Sequence, residues 1–484
     1  MSSPVSWVVL KFGGTSVSSR ARWDTLAAVV RTRRQAGLHP FVVCSAVSGV
    51  TDALDALVNQ AVQGNPAPAL STIRDRHIEL GRELGVDAAD VLAGPLDALE
   101  RLAQGIALLQ HATPQLRARV MAHGELMSTR LGMAYLSEQG LNVAWRDART
   151  LLRAQVEPHA SARRTYLNAS CAATPDADLQ RDLSDSGADL VLTQGFIARN
   201  PAGETVLIGR GGSDTSAAYF AVKLQAERLE IWTDVPGLFS ADPRHVPGAR
   251  LLQHLSYNEA QELATMGASV LHPRCIDPVR QHHIPLHVRS TEAPHLNGTV
   301  LSADVSESKP HLKAISAKTG VTLISMSTIG MWQQVGFLAD VFAVFKRHGL
   351  SIDLVATSEA NVTVSLDTIS NTLDAATLEA VRADLSEYCT VDVIVPCAAV
   401  SLVGRDIRSI LHELSPAFKA INARHIRLMT QAASDLNITL VVDEDQATTF
   451  VARLHEQLLE DTSGTSFLGP AWTDVQAGSA GKTT

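Results

Sequence analysis

Apolar positions divide this chain into two kinds of segment. Before residue 303, short apolar runs alternate with stretches of helical spacing. The run from Trp7 to Leu10 is followed by Trp23, Leu26, Ala27 and Val30, three or four apart and closed by Gly37. A short run that is apolar throughout suits a strand buried on both faces, and the wider spacing suits an amphipathic helix. The unit recurs. Phe41 to Cys44 leads into a small-residue loop, Ser45 to Thr51, and a helix from Asp52. Val143 to Trp145, Asp189 to Thr193, Thr205 to Ile208, Leu229 to Asp234 and Pro285 to Val288 read as further strands. Residues 64–115 read as helical, broken at Pro66, Pro68 and Pro95. Such alternation predicts an α/β domain over 5–303, with a mostly parallel sheet and helices on both faces. Ligands then bind at the carboxyl ends of the strands.

Beyond that domain the period changes. Residues 302–312 are polar and read as a linker. Leu350, Ile352, Leu354 and Ala356 alternate with other residues, as do Val362, Val364 and Leu366, which predicts a sheet with one buried face. Asn361-Val362-Thr363 with Asp367 is echoed by Asn437-Ile438-Thr439 with Asp443, an offset of 76 that Ser358 and Ser434 share. His348 and His425, each after an arginine, lie 77 apart. Each copy reads as strand, helix, strand, strand, helix, so the expectation is two ferredoxin-like βαββαβ modules, over 313–395 and 396–462. Neither holds a polar constellation, which suits binding or regulation. Residues 463–484, rich in Gly, Ser and Thr, read as a flexible tail.

Composition narrows the classes. With 484 residues, 45% hydrophobic and 19% charged, the chain is long enough for about three domains of a globular kind. A net charge of -9 with no Lys/Arg stripe argues against a nucleic-acid binder. No apolar run approaches a membrane span, and Met1 to Ser6 lacks signal-peptide character. The five cysteines, 44, 171, 275, 389 and 397, are scattered without a CxxC pair, the pattern of reduced thiols in a cytoplasmic protein. His272, Cys275, His282 and His283 match no closed zinc site, and no metal centre is expected of them.

The candidate chemistry sits on two glycine-rich turns. Lys11-Phe12-Gly13-Gly14-Thr15-Ser16-Val17 joins the first strand to the first helix. Adjacent glycines let backbone N–H groups approach an anion, the helix start adds partial positive charge, and Lys11 adds a full one. This is a phosphate cradle, though not the Walker A spacing, since the lysine precedes the glycines. Gly209-Arg210-Gly211-Gly212-Ser213-Asp214 is the second turn, opening a helix from Thr215. An arginine fork binds two oxygens of a carboxylate or phosphate. An aspartate beside a phosphate cradle serves Mg²⁺ or holds a lysine. His123-Gly124-Glu125 places a carboxylate among Leu126, Met127 and Leu131, where partial burial is expected. Thr233-Asp234 ends a strand, and the loop through Phe239 to Asp242-Pro243-Arg244 is large enough to hold a base and ribose.

With both turns and the repeat in view, the chain resembles the aspartokinases of the lysine-sensitive type, in which an amino-acid-kinase domain precedes two ACT domains. The motifs are KFGGTSV at 11–17, HGE at 123–125, TQGFI at 193–197, GRGGSD at 209–214, WTDVPG at 232–237, DPR at 242–244 and VLHP at 270–273, followed by GFLADVF at 336–342 and SIDLVATSE at 351–359. The resemblance implies transfer of the ATP γ-phosphoryl group, with Mg²⁺, to the β-carboxylate of L-aspartate, the first step toward lysine, threonine and methionine. It implies that Lys11, Gly13, Gly14, Gly211 and Gly212 surround the phosphates, and Thr233, Asp234, Phe239 and Arg244 the rest of the nucleotide. Arg210 would bind a carboxylate of aspartate and Glu125 its amino group. Thr51 and Ser213 would line the same pocket, and Asp214 would orient Lys11 or the metal. Lys11, Arg210 and Asp214 are thus the expected catalytic set.

The resemblance further implies feedback inhibition by L-lysine, with threonine as the second choice. The effector residues would be Met331, Gly336, Phe337, Leu338, Ser351, Asp353, Thr357 and Ser358, in a homodimer joined through the ACT modules. Two departures stand out: Phe239 replaces the family's usual tyrosine, and Ser269 replaces a lysine that faces the nucleotide. The loss at Ser269 leaves open a sensor that no longer catalyses, and the fold alone leaves open another acceptor. Phe467 to Trp472 resembles the joint in fusions of aspartokinase to diaminopimelate decarboxylase.

Overall fold

The structure is a computed structural model that describes residues 5–267, 270–303, 310–328, 335–368, 371, 373–410, 412, 426–431, 433–459 and 467–480. It divides into two units: Met1–Leu238 with Gln253–Tyr257 and Val270–Val305, and Phe239–Leu252 with Asn258–Ser269 and Ser306–Thr484.

The first unit is built on an eight-stranded sheet of β1 (Trp7–Phe12), β2 (His39–Cys44), β3 (Val143–Arg146), β4 (Leu190–Gln194), β7 (Arg228–Thr233), β9 (His254–Ser256), β10 (Leu286–Ser290) and β11 (Thr299–Ser302). Their order is β3-β4-β2-β1-β7-β10-β11-β9. All neighbours pair parallel except β10 with β11. The central strands are apolar on both faces because helices cover both: every residue of β1 is buried. Lys11 lies inside β1, opposite Val43 and Ile231. The run Thr205 to Ile208, expected as a sheet strand, instead forms a separate hairpin, β5 (Ile197–Arg199) with β6 (Thr205–Leu207).

The second unit carries an antiparallel sheet of β12 (His311–Ser327), β13 (Val355–Thr357), β14 (Asn361–Asp367), β15 (Thr390–Arg405), β16 (Ile426–Gln431) and β17 (Asn437–Asp443), ordered β13-β14-β12-β15-β17-β16. The expected tandem of modules split at 395/396 is corrected here, because that boundary falls inside β15. The far half of β12 (321–327) and the near half of β15 (390–397) frame β13 and β14. The near half of β12 (311–318) and the far half of β15 (398–405) frame β16 and β17. One module is therefore inserted within the other, and the second borrows its last strand from ahead of the first.

The helices Phe337–Arg347 and Ala375–Ser386 bury Val341, Val344, Phe345, Val381 and Leu385 on the first half of the sheet. Glu444–Leu459 buries Ala447, Val451 and Leu454 on the second, against Leu312, Ile315, Val400 and Leu402. Ala241, Val246 and Ala249 belong to that same cluster, and the Ile315 N–H donates to Ser240 O at 2.8 Å. This packing draws 239–252 out of the expected catalytic domain.

The tail expectation also changes. Residues 467–480 include β18 (Leu468–Ala471), which pairs with β8 (Arg250–Leu252), and a helix, Trp472–Ala480. Among the described residues, no helix is long and apolar enough to cross a membrane.

Candidate active site

Three loops at the carboxyl ends of β1, β2 and the β5–β6 hairpin enclose a cleft of about 330 Å³. It is lined by residues that include Lys11, Gly14, Thr51, Glu125, Arg210 and Asp214. The two glycine turns thus meet, as their placement on strand ends requires.

The turn after β1 differs from its expected form in two ways. The segment Thr15–Val17 is a single 3-10 turn, and the first α-helix starts only at Arg20. The Gly13 N–H is already donated to Trp232 O, at 3.2 Å, so it is unavailable to an anion. Gly14 does line the cleft, and its lack of a side chain serves the fold, since a Cβ there would sit 3.0 Å from Ala46 O. Ser18 Oγ closes this approach by donating to Gly14 O at 2.5 Å and accepting the Ser48 N–H at 3.0 Å.

Lys11 Nζ forms an ion pair with Asp214 Oδ1 at 2.6 Å, with both side chains about nine-tenths shielded. Asp214 stands in the first turn of the helix Gly212–Lys223. That helix is preceded by Gly211 in the left-handed region at φ 64° and has no side-chain cap. Its first-turn N–H groups are therefore left for an anion. Gly211 is obligatory here, because a Cβ would fall 2.1 Å from the His272 ring. Among the described residues nothing pairs with the exposed Arg210 guanidinium, which leaves its fork for a ligand.

Glu125, on the helix His123–Glu138, is buried and accepts the Ala46 N–H at 3.2 Å. Burial pushes its carboxyl up to about 8, and hydrogen bonds from its own and the Ala46 N–H offset only part of that. Burial likewise lowers His272 below the usual histidine range, although Asp214 pulls it the other way. The fully buried Cys275 thiol is pushed well up by burial and by Asp214, so it is inert. Thr51 and Ser213 line the cleft as expected.

Thr233 and Asp234 lie at the end of β7, where Thr233 Oγ1 donates to Asp234 Oδ1 at 3.1 Å. Phe239 and Arg244 belong to the second unit. There Phe239 meets Trp472 edge-on at 5.4 Å, and Arg244 forks onto Asp242 at 2.7–3.2 Å. Ser269 and Met331 lie outside the described residues.

The remaining effector candidates sit together on the first half of the antiparallel sheet. Gly336 (φ 96°) precedes the helix that begins at Phe337, which is buried, while Leu338 is exposed. Ser351 is held by Asn371, whose Oδ1 accepts its N–H at 2.6 Å. The alternating run Leu350 to Ala356 forms a strand only from Val355 to Thr357, although Asp353 N–H still donates to Ser365 O at 3.0 Å. Ser358 N–H donates to Asn361 O at 2.7 Å, and Thr357 is exposed on an edge strand. Asp353 already has a cation beside it: Lys318 Nζ lies 3.5 Å from its Oδ2 and also pairs with buried Asp367.

Sequence reasoning passed over the wall behind the second turn, made by Asn168, His272 and Arg274. The VLHP motif flagged the segment without giving it a role.

A cleft lined by a lysine and an arginine at the carboxyl ends of a mostly parallel sheet suits a small-molecule kinase, and residues 6–290 match the amino acid kinase family. The chain is 34% identical over 460 residues to the lysine-sensitive aspartokinase 3 of Escherichia coli K12, covering 94% of this chain and 99% of that one. It is 34% identical over 463 residues to the chloroplastic aspartokinase 3 of Arabidopsis thaliana, covering 93% and 81%. Among solved structures, E. coli aspartokinase III with aspartate and ADP, in the R-state, matches with a TM-score of 0.80 at 33% identity, over 94% of this chain and all of that one. The same enzyme with lysine and aspartate, in the T-state, matches at 0.75 and 33%, over 95% and 100%. This chain belongs to the aspartokinase family.

Proposed function

We propose that this chain transfers the γ-phosphoryl group of ATP to the β-carboxylate of L-aspartate, giving 4-phospho-L-aspartate. The observation that carries this reading is the shielded Lys11–Asp214 pair, set in one cleft with the exposed Arg210 and the buried Glu125. Phosphoryl transfer asks for positioning and charge neutralisation rather than a covalent intermediate. Arg210 takes a carboxylate of aspartate by its fork, and Glu125, once ionised, takes the α-ammonium. Thr51 and Ser213 fill the remaining polar contacts. Lys11 neutralises charge on the phosphoryl group in flight, and Asp214 holds Lys11 in place.

Asp214 and Glu125 are the two carboxylates that line the cleft, a donor set too small to hold Mg²⁺ alone. That set fits a metal carried mainly by phosphate oxygens, with Asp214 as its protein contact. The bound ion would supply further charge neutralisation. The E. coli relative's complexes with aspartate, ADP and lysine support these ligands, with L-lysine as inhibitor. The edge strands β13 and β16, which expose Val355 and Met429, suit pairing with a second copy in a homodimer. Free thiols, buried at Cys44, Cys171, Cys275 and Cys397, suit a cytoplasmic setting.

The deciding experiment is a coupled assay of ADP release with L-aspartate, L-glutamate and carbamate as acceptors. Release with aspartate alone is expected. Lysine binding without release for any acceptor would make the chain a sensor, and release with another acceptor would change the substrate. Restoring a cation with Ser269→Lys should lower KM for ATP several-fold, since an exposed lysine–phosphate contact contributes about 1 kcal/mol. An unchanged KM would mean that another group already serves the phosphates.

The state of Glu125 gives the pH dependence its sign. Its ionised fraction grows as pH rises through about 8, so KM for aspartate should fall from neutral to mildly alkaline pH. Glu125→Gln should flatten that profile, and a profile unmoved by it would remove Glu125 from ammonium binding.

A further inference from the structure

Among the described residues Arg210 has no partner, so the backbone of its loop decides where its fork points. That loop is walled on two sides. Gly209, at φ 87°, faces Asn168, whose Oδ1 would lie 2.3 Å from a Cβ there, and Gly211 faces the His272 ring. One residue ties both walls together. Arg274 Nη1 donates to Asn168 Oδ1 at 2.7 Å and to Ile208 O at 2.6 Å, and its Nη2 donates to Ala169 O at 3.2 Å. The Arg274 backbone N–H donates to His272 Nδ1 at 3.3 Å, fixing the ring that abuts Gly211.

We propose that Arg274 is a positioning residue for the acceptor carboxylate: it ties Ile208, just ahead of Gly209, to the 168–169 segment and holds the His272 ring against Gly211, and so presets Arg210 and the first turn of the Gly212–Lys223 helix. This rests on the aspartate-kinase reading above. The chemistry requires a guanidinium. Three acceptors on two separate segments, 168–169 and 208, are reached from one planar head, which a lysine ammonium cannot span in the same geometry. All three acceptors are neutral, so the charge of Arg274 is not cancelled by them and adds to the positive field behind the anion-binding turn. Arg274 does not line the cleft. Its effect passes through the loop, where a displacement of about 1 Å can cost as much as 10²-fold in rate.

The test is steady-state kinetics on the full chain with both substrates varied. Arg274→Ala should lower kcat/KM for aspartate by about 10²-fold, chiefly through KM, and move KM for ATP far less. Arg274→Lys should recover little, whereas millimolar guanidinium ion added to Arg274→Ala should restore part of the loss. An unchanged KM for aspartate would overturn the proposal. So would equal losses for both substrates without guanidinium rescue, because that is the signature of a structural role alone. Should Arg274→Ala fail to fold, Asn168→Ala removes one clamp point and should shift KM for aspartate in the same direction; no shift there overturns the proposal. Failure of the underlying reading looks different, since the unmodified chain would then release no ADP with aspartate.

Discussion

Replacing Lys11 or Asp214 by alanine is expected to lower kcat by about 10²-fold or more, because each removal strips a preorganised charge from the transition state and costs a few kcal/mol of barrier. The geometry separates the two roles. Lys11 extends from the carboxyl end of a buried strand, where pairing on both sides fixes the backbone, so backbone flexibility cannot compensate for its loss. Asp214 reaches it from a helix N-terminus at 2.6 Å. Without Asp214, Lys11 keeps its charge but loses its anchor and should bind ground-state phosphates at least as well. Asp214→Ala should therefore lower kcat with little rise in KM for ATP, whereas Lys11→Ala should damage both. The pair is largely shielded, so a single removal also strands one partner and lowers stability, and the double variant should be less than additive in kcat. Turnover and thermal melting of the three variants test this, and near-normal turnover in both single variants would show that the chemistry lies elsewhere.

The parallel sheet was legible because its strands are short, apolar and separated by helical spacing, and the glycine turns announced their own position at strand ends. Three features were not legible, each for a physical reason. Gly13 and Gly14 look equivalent in sequence, yet one gives its N–H to Trp232 O and the other makes room for Ala46 O, a difference set by strands far away in the chain. The swap of strand halves between the two modules leaves no local mark, because β12 and β15 each run on as one strand and only distant partners divide them into halves. The clamp at Arg274 joins residues 168–169, 208 and 272, separations that no spacing rule reaches. The tail departs from its sequence for the opposite reason: its small residues suggest flexibility, while Leu468 pairs with β8 and Phe467 and Trp472 pack on His311 and Phe239.

Millimolar L-lysine should inhibit the unmodified protein, and variants at Asp353 and Lys318 should move that inhibition in opposite directions. Asp353 sits half-buried beside two charged neighbours, Lys318 and Asp367. Burial pushes its carboxyl up to about 6, with Asp367 adding to the rise and Lys318 opposing it. A basic amino acid that places its side-chain ammonium on Asp353 must share that carboxylate with Lys318, or turn Lys318 wholly toward Asp367. Lys318 thus weakens a cationic ligand by like-charge repulsion, and Asp353 strengthens it. Asp353→Ala should raise the inhibitory midpoint by 10-fold or more, the scale of losing one partner of a partly desolvated charge pair (about 2 kcal/mol or more). Lys318→Met should lower it, and Thr357→Ile, at the exposed end of β13, should raise it by crowding the ligand.

L-norleucine, which lacks the ammonium, should be a poor inhibitor of the unmodified protein and insensitive to either charge change. Inhibition should also fade as pH drops through about 6, because Asp353 then takes up a proton and no longer attracts the ligand's ammonium. A ligand controls turnover only by binding the inhibited state better than the active one, so aspartate and ATP should in turn weaken lysine binding. Lysine titrations of activity and of binding decide the matter together. A midpoint that Asp353→Ala leaves unchanged would place the effector away from this strand. A midpoint that rises in Lys318→Met would mean that Lys318 helps to hold the ligand.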